Sequence, residues 1–175
     1  MSDYRFPSLN DTAWHDTRDT IQLVSQLMGK IRRVTTPSRK HWWHVSLRCA
    51  AAGPYTTPMP CGVQTFDLLL DLTQHELLLS TNQGERWNRS LSGASIHALA
   101  DDLLSYLTQL EIDVPLDPAL FDDESPLAYD SASAARLWSA FSQINSVLRR
   151  FQGEIRGETS PVQLWPHNFD LALLW

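Results

Sequence analysis

The chain has little of what secreted, membrane-spanning or nucleic-acid-binding proteins rely on. Of its 175 residues only two are cysteines, Cys49 in an apolar run and Cys61 in a loop, without CxxC spacing. They read as free thiols in a reducing compartment rather than as a bridge. No apolar run approaches the roughly 18 residues needed to cross a bilayer, and MSDYRFPSLNDTAW has neither the basic start nor the apolar core of a secretion signal. The expectation is a soluble, cytoplasmic protein with no membrane partner. Lysine and arginine number 14 against 20 acidic residues, for a formal net charge of −6 and a pI near 5.4. Nucleic acid is therefore not expected as a partner, because affinity for a phosphate backbone comes mostly from basic side chains. GxSxG, P-loop, GxGxxG and HExxH signatures are all missing, so the usual marks of an enzyme fail. The cofactor stays unknown.

What is present is a chain the size of one domain, long enough to bury about 70% of the surface its unfolded form exposes. Seven tryptophans are many for this length and suggest a large aromatic core with an aromatic-lined cavity. No repeat or low-complexity segment divides the chain, so residues 1–175 read as a single α+β domain. Ile21, Val24, Leu27, Met28, Ile31 and Val34 recur at helical steps and predict a first helix from about Asp16 or Thr17, with Gln22, Gln26, Lys30 and Arg33 on its other face. WWHVSLRCA reads as a strand, PYTTPMPCG as a loop, FDLLLDLTQHELLLST as two strands around a turn at Thr73 to His75, and ERWNRSL as a further strand. A second helix follows Ser92 or Ser95, with Ile96, Leu99, Leu103, Leu107 and Leu110 buried. A third begins near Asp130 or Ser131 and turns Leu137, Phe141, Ile144, Leu148 and Phe151, with Ile155 as a further candidate, to the sheet. The segment SPVQLWPHNFDLALLW reads as extended. The order α-β-β-β-β-α-α-β, with helices segregated from an antiparallel sheet of about four to six strands, defines an α+β fold packed by three helices.

Several of these segments together resemble a bacterial family of unknown function, marked by HWWHV and by SPVxLWPHxFDLALLW. The matching residues are Thr17 to Arg32 with Gln26, Gly29, Lys30 and Arg32, then His41 to Val45, the pair Tyr129 and Asp130, and Ser160 to Trp175. The resemblance implies no activity. It implies that this chain corresponds to the N-terminal half of longer members, truncated in what should be a strand. Leu127 and Glu158 depart from the His and Lys expected there.

The stretch KHWWHV raises the choice between a metal clip and a pocket. On a strand, His41 and His44 point to opposite faces, so they cannot chelate one ion, and no metal site is assigned. The same parity places Trp43, Val45, Leu47 and Cys49 on a core face and Trp42, His44, Ser46 and Arg48 on the other, which has the aromatic wall and polar groups of a small-ligand site. A half-exposed sheet face with snorkelling side chains is the plainer alternative. Gln26 and Lys30 form an i, i+4 pair suited to an anionic group. His167 and Asp170 in WPHNFD serve as base and orienter, or else Asp170 anchors Lys30, Arg32 or Arg48 in an ion pair.

Three functions remain open. The first is binding of a small anionic or polar ligand by Gln26, Lys30, Trp42, His44, Arg48, His167 and Asp170. The second is a hydrolytic or metal-assisted enzyme using His44, His167 and Asp170. The third is a non-catalytic homo-oligomer or partner-binding domain completed through the C-terminal strand, whose edge would otherwise be unpaired.

Overall fold

The computed structural model describes Phe6, Pro7 and residues 13–175. Most of the N-terminal stretch read above for a secretion signal lies outside the described residues. Helix α1 runs Ala13–Thr35, the strands β1 to β6 are Arg48–Cys49, Pro54–Tyr55, Met59–Cys61, Gln64–Asp71, Glu76–Thr81 and Arg86–Ser90, and helices α2 and α3 are Ile96–Gln109 and Ser131–Glu154. Two last strands, β7 (Gln163–Trp165) and β8 (Asp170–Ala172), pair with each other. The described residues form an α+β fold: three helices against a six-stranded antiparallel sheet, ordered β1-β2-β4-β5-β6 with β3 also on β4.

The sheet follows from period-two patterning. Leu68 faces Leu79 and Leu70 faces Leu77 across the β4–β5 ladder, and all four are at most 1% exposed. Such cross-strand apolar pairs are the unit that stabilises an antiparallel sheet. β2 and β3 share one edge of β4, with Tyr55 opposite Leu69 and Met59 opposite Phe66. The segment expected to be a loop thus holds two short strands, and Pro60 is tolerated because β3 pairs only on one side.

Helix α1 lays Ile21, Val24, Leu27, Met28 and Ile31, all fully buried, against this core, while Val34 is exposed. Its N-terminal half is tied to the start of α3: the Asp130 amide donates to Thr17 Oγ1 at 2.9 Å, and Thr20 Oγ1 donates to the Ala128 carbonyl. Ser95 caps α2, accepting from the Ala98 amide, and Asp130 caps α3, accepting from the Ser133 amide. The α3 stripe is only half correct. Leu137 and Trp138 are buried, and Trp138 Nε1 donates to the Ala51 carbonyl, but Ile144, Val147 and Phe151 are exposed.

Two further expectations fail. WWHVSLRCA is not a strand: Lys40–Trp42 form a 3-10 turn, His41 and Trp42 have positive φ, and pairing begins only at Leu47 and β1. SPVQLWPHNFDLALLW is a hairpin rather than one extended run, turning between β7 and β8 through Pro166 with Phe169 at φ 55°. A proline has no amide to give to a ladder, so it serves at a turn and not within a central strand.

Candidate functional site

Helix α1 carries Gln22, Gln26, Gly29 and Arg32 with different tasks. Gly29 is buried against the β7–β8 turn, and a Cβ there would lie 2.6 Å from Pro166 Cγ. The glycine therefore sets how closely the turn approaches the helix. Gln22 and Gln26 fix the same turn by donating from Nε2 to the His167 carbonyl, at 2.7 and 3.5 Å.

Arg32 points inward and is 4% exposed. Its Nε donates to the His44 carbonyl at 2.8 Å, and its Nη1 to the Thr57 carbonyl and hydroxyl at 3.1 and 2.7 Å. Burial, and secondarily the Arg48 charge, bring this guanidinium down to about 10, still charged near neutrality. A buried main-chain polar group needs a partner, and here a side chain supplies what a ladder would have given the 40–46 segment. The segment consequently curls instead of extending. Trp43 and Val45 donate their amides to Lys40 and Trp42 carbonyls, and the Arg39 amide donates to His44 Nδ1 at 3.2 Å.

The parity assignment for this stretch fails with the strand. His44 and Ser46, expected on the open face, are buried, while Trp42 is 57% exposed. His44 stacks behind Trp42 with ring centroids 5.6 Å apart. Burial first, then Arg32 and Arg33, lower its pKa from the ordinary 6.5, so the imidazole is held neutral.

Between α1, this curled loop and the β7–β8 turn lies a cleft of about 460 Å³. Gln26, Lys30, Arg33, Trp42 and His167 line it with Gly29, Val45 and Pro166 as the floor and walls; no Asp or Glu is among them. The Arg33 guanidinium sits 5.2 Å from the Trp42 ring centroid, and Lys30 Nζ 5.6 Å from that of Phe121, both within cation–π range. Four of the seven residues read from sequence therefore meet here: Gln26, Lys30, Trp42 and His167. Arg33 and Pro166 were missed as site residues. Arg33 was legible, because it follows Lys30 by three and Gln26 by seven on one helical face.

The other three lie elsewhere. His44 is behind the cleft wall, Arg48 lines a separate cleft, and Asp170 is exposed at the start of β8 opposite Trp165. Asp170 takes part in neither ion pair found among the described residues, Arg18–Asp19 and Arg89–Asp102, so it does not anchor Lys30, Arg32 or Arg48. No hydrogen bond links any two of His44, His167 and Asp170, and no cluster of three or more His, Cys, Asp or Glu suited to a metal occurs among the described residues. Cys49 and Cys61 are free. No helix among the described residues is long and apolar enough to cross a membrane.

The model of one protein family matches residues 6–174, nearly the whole chain. The chain belongs to it. The family is DUF5996, a family of unknown function. No curated protein and no solved structure matches the chain. Membership in DUF5996 accords with the resemblance drawn from HWWHV and the final motif, and both of those segments contribute to the cleft through Trp42 and through Pro166 and His167.

Proposed function

We propose that the cleft at the end of α1 binds a small ligand carrying an anionic group and an apolar or planar portion. The observation that supports this is its charge: in a chain of net charge −6 it is lined by Lys30 and Arg33, with no carboxylate among the described residues. Its volume of about 460 Å³ falls in the roughly 300–1,000 Å³ range of small-molecule sites. Lys30 and Arg33 would neutralise the anion, Trp42 would stack on the planar portion, and Gln26 and His167 would orient it. Two consecutive non-glycine residues at positive φ, His41 at 56° and Trp42 at 59°, together cost of order 2–4 kcal/mol. That strain holds a tryptophan out at the cleft mouth, where an apolar core offers it nothing. A thermal-shift screen of small planar carboxylates against neutral analogues tests the reading. The carboxylates should raise the melting temperature of the native protein and leave a Lys30→Gln/Arg33→Gln variant unmoved; stabilisation surviving in that variant would refute it.

A second reading, self-assembly, is favoured by one observation. Ile144, Val147 and Phe151 on α3 are exposed beside Leu174 and Trp175, with the Phe151 and Trp175 rings 5.5 Å apart. This face, rather than the β8 edge, would seat a second copy of the chain. Light scattering of the native protein and of Phe151→Glu decides it: a dimer lost in the variant supports assembly, and a monomer in both counts against it.

A further inference from the structure

A second cleft, sharing no lining residue with the first, has a volume of about 210 Å³. The β1–β2 strand pair and α3 form it, with Pro161 and Val162 beside them. Arg48 and Tyr55 are directly opposed across the β1–β2 ladder, and Asn145, Arg149 and Gln152 recur on α3 at four- and three-residue steps, so strand pair and helix each turn one polar face to it. No Asp or Glu among the described residues lines it.

The arginines are not neutralised from elsewhere. Neither takes part in the ion pairs of the described residues. Arg48 is half-buried, and of the five donors of a guanidinium it engages one, Nη1, in a long 3.4 Å contact to Ser46 Oγ. Burial above all weakens its hold on its proton, Tyr55 opposing and Arg39 adding to the effect, and Arg48 in turn weakens that of buried Arg32. Among the described residues Arg48 and Arg149 thus line the cleft without a carboxylate, an arrangement that an anion there would relieve. Cys49, the remaining polar group, offers no competing charge, since burial pushes its thiol up to about 12.

We propose that this cleft binds the phosphate group of a small ligand, with Arg48 and Arg149 as the paired cations and Tyr55 and Asn145 as hydrogen-bond donors. Two guanidinium forks match the oxygens of a tetrahedral oxyanion. The small volume and predominantly polar lining suit such a group better than a larger planar ligand, for which the first cleft has the tryptophan.

The test is a titration of the ¹⁵N-labelled protein with inorganic phosphate and with O-phosphoserine at constant ionic strength, followed in ¹H–¹⁵N spectra. Shifts should cluster on the amides of Arg48, Cys49, Tyr55 and Asn145. Arg149→Gln changes an exposed side chain and should fold; it should weaken binding about tenfold or more, the usual cost of losing a charge-assisted hydrogen bond. Lys30→Gln should leave this binding unchanged, which separates the site from the first cleft. Equal affinity for the two probes would assign free phosphate, and tighter phosphoserine binding the phosphate of a larger ligand. No clustered shifts, or shifts of the same strength in Arg149→Gln, would overturn the proposal.

Discussion

The β4–β5 hairpin and the 39–48 loop sit on the same core and are held by different forces. In the hairpin, six successive residue pairs from Phe66–Thr81 to Asp71–Glu76 form a ladder, and Leu68, Leu70, Leu77 and Leu79 share its buried face with Phe66. In the loop, a single buried guanidinium supports the His44 carbonyl and Thr57, and a histidine ring accepts the Arg39 amide. The hairpin's conformation is distributed over many weak apolar contacts. That of the loop depends on a few strong polar ones, which also place Trp42 at the cleft. Shape in the first region is robust to single polar changes, whereas in the second it is not.

Substitutions can break this comparison. The largest effect should come from the hairpin: Leu68→Ala removes a fully buried side chain and should cost about 2–5 kcal/mol in denaturant melts, without altering ligand response. Arg32→Ala should cost somewhat less, about 2–3 kcal/mol, because it leaves the His44 carbonyl and Thr57 without partners. It should also release Trp42, seen as a change in tryptophan fluorescence that Leu68→Ala does not produce below its melting transition. If Arg32→Ala melts like the native protein, the loop does not depend on that guanidinium.

Gly29→Ala comes next. In an open helix the change stabilises by roughly 1 kcal/mol, but here the new Cβ meets a rigid ring at 2.6 Å, an overpacking worth about 1–3 kcal/mol. The net expectation is about 1 kcal/mol of destabilisation with a displaced β7–β8 turn. Stabilisation instead would show that Pro166 gives way freely.

The smallest effect is a pH dependence. His44 in the unfolded chain takes up a proton near 6.5, but in the fold only at lower pH, because burial and the neighbouring arginines disfavour its cation. The unfolded state then binds more protons between these values, so stability rises with pH up to about 6.5 and is lost on acidification below it. His44→Asn should flatten that part of the stability–pH curve while leaving the rest, as read from chemical melts at pH 5 and pH 7.5.

The same contrast explains what could be read from the amino-acid order. Helices α1 and α2 and the β4–β5 hairpin were legible because apolar periodicity both signals and stabilises them. The loop was not, since Arg32 twelve residues away from His44 overrides the local β-propensity of WWHV. Pro166 was a readable signal that was passed over: within an apparently alternating run it should have marked a turn. For the cleft, Lys30, Gln26 and Trp42 could be selected by residue type, but His44 and Arg48 were assigned through strand parity and moved when the strand disappeared.

The central claim is that Trp42 and the α1 cations form one anion-binding cleft. It is tested most directly by titrating benzoate, a planar carboxylate, into ¹⁵N-labelled protein and following the Trp42 indole N–H resonance, assigned with Trp42→Phe. The account predicts a saturable shift of that resonance in the native protein, lost in Lys30→Gln/Arg33→Gln. A Trp42 resonance that does not respond, or that responds equally in the double variant, would contradict it.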